Sequence, residues 1–171
     1  MQKANPLPGK WRNVVFSLTA LLVVAADQLS KLWIRSNLDI GESIPETGFF
    51  RLTRVHNTGS AFGLFQDQSF ALSILALVCV AALLLYNFVY YRRFPFSNNW
   101  LGTVALGLVL GGVIGNLTDR LLFGAVTDFI DIGIWPSFNV ADSAAVVGVI
   151  LFVYTLLPLF RAEKRGDGQA L

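Results

Sequence analysis

Apolar and polar positions divide the chain into four long hydrophobic stretches, at 14–34, 70–91, 100–117 and 140–160, separated by shorter mixed segments. A helix needs about 20 residues to cross a hydrocarbon core of about 30 Å, and each stretch is close to that length. The pattern predicts an all-α membrane protein built as a four-transmembrane-helix bundle. In the third stretch, WLGTVALGLVLGGVIGNL, Gly107, Gly111 and Gly115 recur at intervals of four. They line one helix face and let a neighbouring helix approach closely. The second stretch runs unbroken around Cys79 and reads as a plain span with much of its surface toward lipid. Cys79 itself is expected to be a small buried apolar residue.

The first stretch has a rival interpretation. Lys3, Lys10 and Arg12 precede an apolar run ending in VVAA, where Val24 and Ala26 suit a signal-peptidase site. The apolar pattern resumes, however, at Leu29, Leu32, Trp33 and Ile34, and DQLSK sets Asp27 four residues before Lys31. That spacing puts acid and base on one helix face, where each offsets the other's cost of transfer into the membrane. The segment is therefore read as a retained span.

The connection between the first two spans has its own pattern. After the turn-forming GESIPETG, the run FFRLTRVHN alternates roughly between aromatic or branched residues and polar ones, which predicts one or two short strands. NTGSAFGLF follows, with Gly59 and Gly63 permitting tight backbone geometry and Asn57 offering both donor and acceptor groups. A small extracytoplasmic sheet between helices 1 and 2 is expected to lie on the membrane surface as a cradle over the bundle.

Basic residues in short loops set orientation. With four spans, Lys3, Lys10, Arg12, Arg92, Arg93, Arg161, Lys164 and Arg165 share one side, while Arg35, Arg51, Arg54 and Arg120 share the other. Both termini are therefore expected in the cytoplasm, with the connections 36–69 and 118–139 on the outer side. Composition agrees with the membrane reading: 54% of the 171 residues are hydrophobic and 14% charged, against about a quarter charged in soluble domains. Residues 1–171 are expected to form one integral membrane domain. The net charge of +2 does not point to nucleic acid, because the basic residues sit beside apolar segments and are not interleaved with aromatics on one face. One Cys and one His cannot assemble a disulfide or a Cys/His zinc site within the chain.

Candidate chemistry then narrows to carboxylates. Ser60 lacks a G-x-S-x-G elbow, no H-E-x-x-H occurs, and GLVLGGVIGN lacks the ending of a phosphate loop. Among the outer-side acids, Asp128 in AVTDFI and Asp142 in FNVADSAAVVGVI stand in apolar surroundings near the membrane boundary. Desolvation raises a carboxyl pKa there, and two carboxyls brought together do not both ionise easily. One shared proton leaves one group able to activate water and one able to protonate a carbonyl oxygen. The same residues also suit ordinary roles. Asn139 is a candidate N-cap of the fourth helix, which puts Asp142 at its third position. Asp128 and Asp131 also suit a solvated loop, and Asp119 with Arg120 an interfacial pair. A proton- or cation-coupled transporter and a non-catalytic assembly protein using the glycine face are alternatives, although no internal repeat is evident and both acids fall at helix ends.

Five segments, DQLSK, NTGSAFGLF, GGVIGNLTDR, VTDFID and FNVADSA, occur in the order expected of bacterial lipoprotein signal peptidases, or signal peptidase II. The chain resembles that family over nearly its whole length apart from the tails. The resemblance implies an intramembrane aspartyl endopeptidase of the inner membrane, with both termini cytoplasmic and its active site near the outer face. It implies Asp128 and Asp142 as the catalytic dyad. Asp27, Lys31, Asn57, Gly59, Gly111, Asn116, Arg120, Asn139 and Ala141 are implied to shape the site or orient substrate. The implied substrate is a diacylglyceryl-modified prolipoprotein, cut just before its lipidated cysteine, with membrane lipid around a monomeric enzyme that takes no metal, cofactor or nucleic acid. Two departures stand out: the interval between the acids is shorter than expected, so the loop 133–137 is expected to cover the cleft less fully, and Thr127 stands where an aliphatic residue is common.

Overall fold

The computed structural model describes residues 9–59, 67–91 and 99–167, with side chains to residue 157. Its elements run α1 (Gly9–Asn37), β1 (Ser43–Ile44), β2 (Arg51–Asn57), α2 (Ser69–Leu85), α3 (Trp100–Phe123), β3 (Val126–Asp131) and α4 (Val140–Asp167). A π-helical turn, Tyr86–Tyr90, extends α2. Among the described residues, four helices are long and apolar enough to cross a membrane. Ser60 to Phe65 of the NTGSAFGLF motif, with Gly63, lie outside the described residues, as do Lys3, Arg92 and Arg93.

α3 is the central helix, packed on α1, α2 and α4. Its small residues explain how. A Cβ at Gly107 would sit 2.9 Å from the Phe16 carbonyl oxygen, and one at Gly111 would sit 2.6 Å from Val23 Cβ, so the expected glycine face is the seat of α1. A second small-residue contact serves α4: a Cβ at Gly112 would lie 2.4 Å from the Ala141 oxygen, and one at Gly148 2.7 Å from the Ala105 oxygen. Phe16, Ala20, Leu106 and Leu110 form the buried core between α1 and α3. α2, by contrast, has Ser73 as its one buried residue. Cys79 is accordingly exposed on it, not buried as expected, because α2 packs mainly against α3 and turns its other faces outward.

The ends of α3 are set by local chemistry. The Asn99 side chain accepts the Gly102 N–H at 2.7 Å as an N-cap, and Gly124 closes the helix in the left-handed region at φ 75°. The helix thus continues past residue 117 and carries Asp119 and Arg120 on regular helical spacing.

The sheet is antiparallel with order β1-β2-β3. Its first two strands come from the α1–α2 connection as expected. Its third, β3, comes from the α3–α4 connection, where a loop was expected. VTDFID pairs with β2 through Arg51↔Asp131, Val55↔Asp128 and Asn57↔Val126, with an irregularity between Leu52 and Val55. β3 is buried along nearly its whole length, so it lacks the polar-out alternation that marks a surface strand. Beneath it, Phe129 packs with Ile34 and Leu38 at the end of α1.

Substituting Gly111→Ala should cost about 1–3 kcal/mol through overpacking against α1. Thermal unfolding of the purified variant, with a clear drop in Tm, is the check; an unchanged Tm would show that α1 and α3 separate without cost.

Candidate active site

A cavity of about 850 Å³ opens between the sheet and the ends of α3 and α4, and both Asp128 and Asp142 line it. Asp128 projects from β3 and is 2% exposed. Asp142 occupies the third position of α4. Asn57 reaches the cavity from the end of β2 and Gly59 from just beyond it, Asn116 and Arg120 from α3, and Trp135, Pro136 and Ser137 from the loop preceding α4.

Asn139 joins the two acids. Its side-chain oxygen accepts the Asp142 N–H at 2.9 Å while Asp142 Oδ2 accepts the Asn139 N–H at 3.2 Å. This is a reciprocal capping box with Asp in place of Glu. The Asn139 amide still has donors to spare, and Nδ2 donates to Asp128 Oδ1 at 2.7 Å and to Asn116 Oδ1 at 3.1 Å. The cap and the site are therefore one arrangement rather than alternatives. Asn116 donates to Asp142 Oδ1 at 2.7 Å, and Asn57 donates to Asp128 Oδ2 at 2.8 Å. Each carboxyl oxygen of the pair thus accepts one amide hydrogen bond, which fixes its plane and direction. Asn57 is itself oriented by Gly59, whose N–H it accepts at 2.9 Å.

Burial, reinforced by the charge of Asp142, pushes the Asp128 carboxyl up to about 7, against the opposing hydrogen bonds from Asn57 and Asn139. Asp128 therefore holds a proton through mildly acidic conditions and releases it as pH rises through neutrality.

Beneath the pair lies a buried charge cluster. Lys31 Nζ contacts Asp27 Oδ2 at 2.8 Å and Asp119 Oδ2 at 3.5 Å, with all three side chains fully buried. Arg35 approaches Asp119 at 3.4 Å and stacks over the Phe123 ring. Gln28 Nε2 lies 3.1 Å from both Asp27 and Asp119. Each of the two acids also holds main chain beside the cavity. Asp27 Oδ1 accepts the Ala141 N–H at 3.0 Å, and Asp119 Oδ2 accepts the Thr127 N–H at 2.9 Å. Ala141 and Thr127 are the residues immediately before Asp142 and Asp128. Lys31 links the cluster to the pair through Asn116, donating to its Oδ1 at 2.9 Å.

Most of the residues expected near the site converge there: Asp27, Lys31, Asn57, Gly59, Asn116, Arg120, Asn139 and Ala141 all touch this network or line the cavity. Gly111 does not; it lies in the α1–α3 packing contact. Arg120 does not pair with Asp119, since adjacent residues on a helix point in different directions. It reaches Gly59 O at 3.1 Å, while Asp119 turns toward α1. Thr127 has a use for its hydroxyl, which accepts from Arg35 at 3.1 Å. Arg35, Asp119 and Gln28 were missed as site residues. The signals were present: Asp27, Lys31 and Arg35 follow at intervals of four, and Asn116 and Asp119 at an interval of three.

Two carboxyls, each held by asparagine N–H groups and both lining one largely apolar cavity at the end of a membrane bundle, are an arrangement suited to aspartyl peptidase chemistry. A family model for Signal peptidase (SPase) II matches residues 19–158. Proteins called lipoprotein signal peptidase are similar over most of the chain. One from Dehalococcoides mccartyi is 45% identical over 157 residues, covering 91% of this chain and 96% of that protein. One from Moorella thermoacetica is 49% identical, covering 83% and 92%. One from Teredinibacter turnerae is 39% identical, covering 99% and 100%. A solved structure described as a bacterial membrane enzyme superposes with a TM-score of 0.71 at 34% identity, covering 82% of this chain and 86% of that one. The chain belongs to the signal peptidase II family, and the transporter alternative finds no support.

Replacing Lys31→Met leaves Asp27 and Asp119 buried with reduced compensation, and should destabilise the fold by about 3–5 kcal/mol. Tm and the yield of folded protein measure this; a variant as stable as the parent would show the cluster to be dispensable.

Proposed function

We propose that Asp128 and Asp142 are the catalytic pair of this signal peptidase, which removes the signal peptide from diacylglyceryl-modified prolipoproteins by cutting just before the lipidated cysteine. The observation that carries the assignment is that the two carboxyls line one cavity and are joined through one residue, Asn139, whose side-chain amide donates to Asp128 and whose main-chain N–H donates to Asp142.

The position of each acid supports a division of roles. Asp142 sits in the first turn of α4, where its oxygens accept N–H groups from Asn116 and Asn139. It takes a proton from the attacking water. Asp128, holding the shared proton, donates it to the oxygen of the scissile carbonyl as the water oxygen bonds to carbon. Collapse of the gem-diol returns a proton to Asp128 and delivers the one on Asp142 to the departing cysteine nitrogen. Arg120, within electrostatic reach of both acids, lies beside this path.

The enzyme works as a single membrane domain and as a monomer. The bias of basic residues supports both termini in the cytoplasm and the site at the outer face. A substrate whose lipid tails stay in the bilayer gains about 0.8 kcal/mol of anchoring per buried methylene, which explains why the peptidase is itself embedded there.

Asp128→Asn and Asp142→Asn should each lower cleavage of a diacylglyceryl precursor by about 10²–10⁴-fold while folding is retained. Mass measurement of product, beside a thermal melt, tests this; full activity in either variant would remove that residue from the mechanism. Because Asp128 titrates near 7, cleavage should fall as pH rises through neutrality and the shared proton is lost. In Asp142→Asn the protonated-carboxyl infrared band of Asp128 should disappear at lower pH than in the parent, since the like charge is gone. A band midpoint unmoved by that substitution would deny the coupling.

A further inference from the structure

Asp131 ends β3 and opens the loop 132–138, whose Ile132, Trp135, Pro136, Ser137 and Phe138 line the cavity. The base of this loop is fixed by main chain: Ile130 donates to Phe138 O at 2.8 Å and Phe138 donates back to Ile130 O at 3.1 Å. The outgoing limb is held differently. Asp131 Oδ1 accepts the Gly133 N–H at 2.8 Å, and Gly133 turns the chain at φ 73°. Asp131 Oδ2 accepts from Arg51 at 2.5 Å and from Thr53 Oγ1 at 3.3 Å, and Thr53 is in turn bonded to Ser43 at 2.8 Å. Arg51 and Asp131 are direct cross-strand partners, so the clamp spans β1, β2 and β3.

Asp131 lies three residues beyond Asp128 on the strand, an odd separation that turns the two side chains to opposite faces. Among the described residues its side chain bonds to Arg51, Thr53 and Gly133 and not to the acid pair. What it controls is the limb that carries Ile132 and Trp135 over the cavity. The Gly133 amide, opposed by desolvation and aided by Arg51 and Thr53, holds its carboxyl below the usual carboxylate range, so it stays charged at neutral pH.

We propose that Asp131 is a positioning residue for substrate binding: clamped by Arg51 and Thr53 and gripping Gly133, it sets the stance of the loop 132–138 over the cavity, and thereby substrate affinity rather than the rate of bond breaking. The inference rests on the peptidase reading above.

The test uses the purified full chain in lipid nanodiscs with a diacylglyceryl precursor. Asp131→Ala should raise KM about tenfold and leave kcat within about twofold, the signature of lost binding common to ground and transition states. Asp131→Asn keeps the acceptor for Gly133 but puts an NH2 donor where Arg51 and Thr53 now bond, so it loses the ion pair and its KM should rise less than in the alanine variant; it also serves if the alanine variant fails to fold. Arg51→Ala should match Asp131→Asn. Independently, a spin label at Ile134→Cys in a Cys79→Ala background should gain mobility when Asp131→Ala is added. An unchanged KM with the parent active, a fall in kcat without a change in KM, or an unmoved spectrum would each overturn the clamp while leaving the peptidase reading intact. Absence of precursor cleavage by the parent chain would overturn both.

Discussion

The buried cluster of Asp27, Lys31, Asp119 and Arg35 is the constraint on which the site depends. Two acids and two bases in an apolar bundle sum to no net charge, which is the condition for tolerating any of them there. Taking each ion out of water still costs several kcal/mol, so stability alone is a poor reason for such a group. The geometry supplies a better one. Asp27 grips the N–H of Ala141 and Asp119 grips the N–H of Thr127, and these are the main-chain units next to Asp142 and Asp128. Lys31, touching both acids, ties the two grips together. The distance between the site carboxyls is thus referred to one ammonium group on α1, rather than left to a strand and a helix that meet only at their ends.

Above that cluster, the amides sort the carboxyls. Asn116, Asn139 and Asn57 are uncharged, so they orient Asp128 and Asp142 without neutralising them, as an arginine in the same place would. A guanidinium in direct contact would pull both acids toward full ionisation and remove the shared proton. Arg120 is nearby, yet it donates to the Gly59 carbonyl. The pair consequently keeps one member proton-holding near neutrality, which acid–base chemistry at physiological pH requires.

How much of this was legible in the sequence depends on the range of the interaction. The four helices follow from apolar runs, a local signal with a physical threshold in bilayer thickness. The Asp27–Lys31 pair was legible because both ends lie on one helix turn. The two site acids were separable from other carboxylates by their apolar neighbours, although spacing alone did not say which acids meet. β3 was illegible as a strand: its pairing partner lies some 70 residues earlier, and burial along its length erases alternation. Arg35 and Asp119 were obscured for a related reason. Each sits past the end of an apolar run, where a charged residue ordinarily faces solvent, and only the continuation of α1 and α3 beyond those runs turns them inward.

Gly115 shows why the packing glycines and the chemistry are not separate subjects. A Cβ there would lie 2.6 Å from Asp27 Oδ2 and 3.1 Å from the Ala141 side chain. At this point α1, α3 and α4 converge, and the space a methyl group would fill is taken by the carboxylate that holds the start of α4. The upper end of the glycine ladder in α3, first read as a device for helix contact, is also the opening through which an acid on one helix reaches the backbone of another. Helix proximity sets how far Asp27 must reach, Asp27 sets where α4 begins, and the start of α4 fixes Asp142.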